Sequence, residues 1–207
     1  MDTINETGGE NEDEGSSESD DVVLFVEMKY CTVCHLEQPL RTKHCKSCDH
    51  CIATHDHHCP WIGNCVGERN KARFFIYLLL QFAQMVTAVS LGIKYLVENV
   101  EEHRREFSKL TILEIYIGFA CFFTLCFSGF VLALIVFHSM LAARNLTSWE
   151  YISWRRITYL KVWPYKYGSP FSLGSSSANL RQFFCYPFSK RLRIYPWQMP
   201  KKLPKIA

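Results

Sequence analysis

Seven of the ten cysteines and six of the eight histidines in this chain of 207 residues lie between residues 31 and 65. The cysteines are Cys31, Cys34, Cys45, Cys48, Cys51, Cys59 and Cys65, with His44, His57 and His58 interleaved among them. Two C-x2-C turns (31/34 and 45/48) and a third short step from Cys48 to Cys51 suit zinc, because one tight knuckle supplies two thiolates to a tetrahedral ion. These groups are ten plausible ligands. One structural zinc takes four and two take eight. A module with two zincs therefore leaves two groups over, and a cysteine with a histidine is the expected pair. A thiol beside an imidazole is the equipment of nucleophilic catalysis, since the thiolate is the reactive form and a base generates it. Spacing alone does not say which two are spare.

The run Asp56-His57-His58-Cys59, with its upstream cysteines, resembles the cysteine-rich domain of the DHHC protein S-acyltransferases (palmitoyltransferases). The family pattern C-x2-C-x9-H-C-x2-C-x2-C-x4-D-H-H-C-x5-C-x4-N-x3-F is matched throughout, closing with Cys65, Asn70 and Phe74. The resemblance implies two structural Zn2+ ions. Cys31, Cys34, His44 and Cys51 would hold one, and Cys45, Cys48, His58 and Cys65 the other. It also implies that Cys59 is the acyl-accepting nucleophile, His57 its general base and Asp56 the residue that orients the imidazole. Trp61 would cover the acyl chain near its carbonyl. The substrate implied is acyl-CoA, palmitoyl-CoA above all, and the acceptors are cysteines of cytosolic or membrane proteins.

The elements that must position this cluster follow from composition. Apolar residues make up 48% of the chain but are unevenly spread. Residues 1–21 carry nine acidic groups and no Lys or Arg, which predicts a disordered acidic tail and not a signal peptide. The remaining residues hold 23 basic groups against 11 acidic ones, a surplus that suits anionic headgroups and the phosphates of acyl-CoA. Residues 22–73 form the zinc module, which is expected to be loop- and hairpin-rich and held by metal.

Phe74 to Ile93 is then twenty residues without a charge, and Ile115 to Phe137 twenty-three, each long enough to cross the bilayer as a helix. Two spans are expected, over 74–97 and 112–138, joined by a charged link (98–111) that faces a lumen. The spans exclude a nucleic-acid partner as the reason for the basic charge. Arg69, Lys71 and Arg73 before the first span, and Arg144, Arg155, Arg156 and Lys161 after the second, place both outer ends in the cytosol. Reduced zinc thiolates belong there too. Cys121 and Cys126 read as small packing residues within the second span. The fold class expected is thus a mainly α, multi-pass membrane protein of the Golgi or endoplasmic reticulum. It combines two transmembrane helices with a cytosolic zinc-stabilised domain.

In the cytosolic C-terminal region, residues 139–207, Thr147, Ser148 and Glu150 resemble the family's T-T-x-E motif, with serine at the second position. They also read as a capping box opening a helix through residues 151–160. Asn179 resembles the asparagine of the family's C-terminal motif, a segment that packs back on the T-T-x-E region. Cys185 is either a buried small residue or an accessory acylation site. The motifs together look most like the twelfth mammalian subtype. Family members carry two further spans before the zinc module, where this chain has its acidic tail. The expectation is a shortened product, or a partner chain that completes the acyl pocket. A catalytically weak membrane adaptor is the alternative function.

Overall fold

The computed structural model describes residues 29–106, 112–161 and 163–185. The acidic tail and the last residues of the chain lie outside them.

The zinc module is three hairpins of three-residue strands in succession. β1 (Lys29–Cys31) pairs with β2 (Leu36–Gln38), β3 (Lys43–Cys45) with β4 (His50–Ile52), and β5 (His57–Cys59) with β6 (Asn64–Val66), all antiparallel. Strands this short bury almost no apolar surface, and an isolated hairpin is marginal in water. Up to Val66, the module's buried apolar residues are Cys31, Cys45, Cys59 and Cys65 with only Leu40 and Val66 beside them. Main-chain bonds stitch the hairpins together: His55 N–H to Arg41 C=O, Asp56 N–H to Val66 C=O, and Glu68 N–H to Ala53 C=O. Gly67 is required at the exit, because a Cβ there would meet Ile52 Cγ2 at 2.6 Å and Ala53 O at 2.9 Å.

Two long helices follow. α1 (Lys71–Glu106) has 36 residues and α2 (Ile112–Arg144) has 33, and they pack along each other. Both are long and apolar enough to cross a membrane. Their outward side chains are bare hydrocarbon, with Leu80, Leu91, Phe119, Phe122 and Leu125 each more than half exposed. The first helix runs beyond the apolar stretch, because the sequence ENVEEHRRE is made largely of good helix formers and propagates the helix already begun. Residues 98–106 of the expected link are therefore helical. The helices approach closely where Gly92 faces Cys121, since a Cβ at Gly92 would clash with the Cys121 Sγ. Cys126 is exposed on the outward face.

α2 ends in a Schellman motif, with Asn145 in the left-handed region (φ 51°) and Leu146 N–H bonded to Leu141 C=O. The helix expected to run through residue 160 is broken. α3 (Ser148–Ser153) passes into a 3₁₀ turn at Trp154–Arg156, and α4 (Thr158–Lys161) restarts after Ile157 leaves the helical region (ψ 123°). The break lets Trp154, Ile157, Leu160 and Trp163 all turn into one core with Leu40 of the zinc module and Leu141 of α2. α5 (Ser176–Cys185) then packs back on α2. Cys185, the last residue of this helix, is exposed, not buried.

One ion pair joins the zinc module to this C-terminal core. Arg41 (2% exposed) donates from Nε and Nη2 to the two carboxylate oxygens of Glu150 (0% exposed), both at 2.7 Å. Removing one member of a buried pair leaves an uncompensated charge, at about 3–5 kcal/mol. Arg41→Ala should therefore lower the thermal unfolding midpoint in detergent markedly, while Arg155→Ala, on an exposed residue, should not. Equal midpoints for the two would show that the pair does not hold the halves together.

Candidate functional site

Strand alternation sorts the cysteine cluster. Neighbouring residues of a strand face opposite sides, and residues two apart share one. On β3, His44 and Cys45 therefore part company. His44 lies across from Cys51 in the ladder and Cys45 across from His50. On β5, His58 lies across from Cys65, while His57 and Cys59 share the other face.

The result is two compact donor sets, Cys31/Cys34/His44/Cys51 and Cys45/Cys48/His58/Cys65, each with its donor atoms within 4.8 Å of one another. Cys34 Sγ lies 3.3 Å and Cys31 Sγ 3.6 Å from His44 Nδ1. Cys48, Cys65 and Cys45 Sγ lie 3.3, 3.6 and 3.7 Å from His58 Nδ1, and the Cys48 and Cys65 sulfurs are 3.5 Å apart. Tetrahedral zinc with ordinary bond lengths requires S···N edges of about 3.6 Å and S···S edges of about 3.8 Å. Each set could hold a metal ion. Burial pushes the Cys51 thiol up to about 11 despite a hydrogen bond from Gln38 Nε2, and raises Cys65 further, with Cys45 and Cys48 adding to the rise. A divalent cation reverses that tendency by binding the thiolates.

The two groups left over face the helices. Cys59 is 4% exposed and sits in an apolar cluster with Val66, Phe74, Leu78 and Val131, where the zinc module meets α1 and α2. His57 packs edge-on against the same Phe74, with ring centroids 5.4 Å apart. Its Nδ1 lies 2.5 Å from Asp56 Oδ2. With the proton on Nδ1, this bond leaves the Nε2 lone pair free to act as a base. Asp56 is held in turn by Ser148, whose N–H donates to Oδ1 at 2.6 Å and whose hydroxyl donates to Oδ2 at 2.8 Å. Burial alone would raise the Asp56 pKa. The hydrogen bond from His57, the adjacent His138 ring and the Ser148 N–H outweigh it and keep the carboxyl below its ordinary range. The arrangement is a thiol and an oriented imidazole beside a carboxylate whose pKa is lowered.

The DHHC palmitoyltransferase family profile matches residues 24–155. This chain belongs to that family. It is 32% identical over 182 residues to palmitoyltransferase ZDHHC8 of Mus musculus, covering 86% of this chain and 21% of that protein. It is 36% identical over 170 residues to palmitoyltransferase ZDHHC9 of Bos taurus, covering 79% and 43%. A putative ZDHHC-type palmitoyltransferase 7 of Dictyostelium discoideum is 34% identical over 156 residues, covering 74% and 34%. The chain thus spans about a fifth of the ZDHHC8 relative and under half of ZDHHC9. These relatives do not support the subtype suggested by the closing motifs.

In this member of the DHHC family the T-T-x-E-like motif has three separate duties. Thr147 caps α3 and Glu150 completes the capping box, with Thr147 Oγ1 accepting from Glu150 N–H and Glu150 Oε2 from Thr147 N–H. Glu150 also holds Arg41 and accepts from Tyr159 Oη. Ser148 holds Asp56, so the motif reaches the Asp56–His57 pair directly. Asn179 of α5 donates to Ala143 C=O and Ser172 Oγ and accepts from Leu173 N–H, tying the C-terminal motif to the end of α2. Trp61, on the 3₁₀ turn Pro60–Ile62 directly after Cys59, is 78% exposed.

Four residues near the site escape the sequence pattern. The first is Arg41; the clue was Glu150, the only carboxylate between residues 115 and 207 and so in need of a cation. Asn145 accepts from Arg41 and donates to Phe171 C=O and Gln182. Its clue is an asparagine just past the end of a helix. His55, buried edge-on against Trp149, is pushed down to about 4 by burial and by Lys43, and is therefore neutral. The last is His138, a titratable ring at the edge of a span, of the kind that merits a functional reading by default.

Strand alternation yields an expected outcome in metal content. His58→Ala should release one metal equivalent and loosen the module, whereas His57→Ala and Cys59→Ser should keep the full complement, as read by elemental analysis of the purified chains. Loss of metal from Cys59→Ser would mean that the two faces of β5 are not divided in this way.

Proposed function

We propose that this protein is a protein-cysteine S-palmitoyltransferase. It moves a long-chain acyl group from acyl-CoA to cysteines of substrate proteins through an acyl-Cys59 intermediate. The observation that carries this is the conjunction of a DHHC-family chain with an Asp56–His57 pair outside both metal sets, next to a cysteine that shares its face of β5. Two structural Zn2+ ions, one in each donor set, supply stability and not chemistry.

In the first half-reaction the Cys59 thiol gives its proton to His57 Nε2, and the thiolate attacks the carbonyl carbon of the acyl-CoA thioester. The C–S bond to CoA breaks, and the CoA thiolate leaves with the proton from His57. In the second, a substrate thiol gives its proton to His57 and attacks the Cys59 thioester. Cys59 leaves and is reprotonated. One thioester replaces another at each step, so the protein's task is thiolate formation and placement. Asp56 stays charged throughout and steadies the imidazolium. The apolar cluster around Cys59 continues into Phe82, Met85, Leu134 and Ile135, which supports a path for the acyl chain between α1 and α2. Each methylene buried there contributes ~0.8 kcal/mol. On the other side of His57 a groove of about 470 Å³, lined by Lys43, Lys46, His55, Trp149 and Ile152, suits the phosphates and nucleotide of CoA.

The reading places the zinc module and both ends of the chain in the cytosol, with α1 and α2 spanning a Golgi or endoplasmic reticulum membrane and residues 107–111 in the lumen. A glycosylation acceptor inserted at 107–111 should then be modified, and one in residues 1–21 should not. The reverse pattern would remove access to acyl-CoA. Cys59→Ser should abolish hydroxylamine-sensitive acyl label on the purified chain. His57→Ala should slow labelling by about 10²–10⁴-fold. Undiminished label on Cys59→Ser would refute the intermediate.

A further inference from the structure

On this transferase reading, we propose that His138 is a positioning residue for His57, holding the general base in its reactive orientation through both its ring and its polar edge. The hydrogen bond to Asp56 fixes one atom of the His57 ring and still permits a coupled χ1/χ2 swing that would turn Nε2 away from Cys59. Two rings oppose that swing. Phe74 stands edge-on to His57 at 5.4 Å and His138 lies tilted by 37° at 5.8 Å. Phe74 and His138 also pack edge-on to each other at 5.4 Å, so the three rings form a closed triangle. Phe74 comes from the start of α1 and His138 from the end of α2. The base is therefore held between the two long helices, and about a third of its side chain, 32%, stays open to a substrate.

Packing alone does not account for a histidine here. His138 is 9% exposed and has Phe74 and Phe137 against its ring. A phenyl ring would fill such a place without the desolvation cost of two ring nitrogens. The polar edge has a destination, because a nitrogen of His138 lies within 4.8 Å of both the Asp56 carboxylate and a His57 nitrogen. Asp56 already accepts three hydrogen bonds from His57 and Ser148. His138 is thus a fixed dipole beside the pair and not the group that anchors it. Fixed dipoles in a water-poor site act strongly on charge that develops there.

The test measures single-turnover acylation of Cys59 by labelled palmitoyl-CoA, using the full chain in nanodiscs. Wild type is compared with His138→Ala, His138→Phe and His138→Gln, with metal content determined for each. Phe keeps the ring, Gln keeps a polar group and Ala keeps neither. Ala should slow the maximal rate about 10- to 100-fold, the scale of a base misplaced by around 1 Å. The acyl-CoA concentration for half-maximal rate should stay within about twofold and metal content should be unchanged. Phe and Gln should each recover part of the loss. An Ala rate within twofold of wild type overturns the proposal. So does a loss matched by weaker acyl-CoA dependence or by released metal, or a Phe or Gln variant no faster than Ala. A wild-type chain that never acylates Cys59 would instead overturn the transferase reading and this role with it.

Discussion

A cation and an anion buried together constrain the rest of this molecule. Arg41 belongs to the turn between the first two zinc knuckles and Glu150 to the short helix after the second long helix, 109 residues later. Neither is solvated, and each charge is compensated by the other, 2.7 Å away in bidentate register. Ionic contacts of this kind add little net stability compared with apolar packing, but they specify geometry sharply, because a small slip leaves two buried charges unpaired. Arg41 also stacks over Phe171 at 4.2 Å and donates to Asn145, which links to α5 through Gln182. One guanidinium therefore sets the zinc module, the end of α2 and the C-terminal segment in a single register. That register brings Ser148 to Asp56.

The reactive groups use the same economy of placement. Residues of a candidate metal set and residues outside it alternate along one strand, so an ion held by His58 and Cys65 would also fix the face on which His57 and Cys59 stand. His58 need never approach the substrate to matter, since its imidazole Nδ1 is drawn into a metal set with its partner Cys65 directly across the ladder. The zinc module contributes the thiol, the base and the carboxylate. It lacks the apolar bulk to hold them rigid, and the rigidity comes from the helices.

Local features of this architecture were legible in the sequence, and longer-range ones were not. Knuckles, apolar runs and the capping box at Thr147 and Glu150 are short patterns whose physics is contained in a few residues. The division of ten ligands into two sets of four was not readable from spacing, because it depends on which strands pair. Once β3 and β5 are known to be strands, alternation separates His44 from Cys45 and His58 from His57 and Cys59, and the ladders add Cys51 and Cys65. Helix ends were misjudged where apolar content was taken as the measure of helix length, since α1 continues through charged residues that favour a helix as strongly as its apolar ones. The role of Ser148 was hidden for a different reason. A serine at the start of a helix reads as part of a cap, and nothing local shows that its donors face a carboxylate 92 residues earlier.

The dependence of the base on distant segments has a consequence for how the membrane could influence the reaction. Asp56 is steadied by Ser148, which follows α2 directly, while His57 lies against rings from the start of α1 and the end of α2. A change in the tilt or separation of the two helices cannot leave the dyad untouched, because one helix end carries contacts to both of its members. The helices approach closely at Gly92 and Cys121, far along α1 from Phe74, so a movement pivoting there is amplified at the ends that meet the cysteine-rich module. An acyl chain entering between Leu78, Phe82 and Leu134 would act on that same lever. On the transferase reading proposed above, occupancy of the apolar path and orientation of the His57 ring would be mechanically one variable.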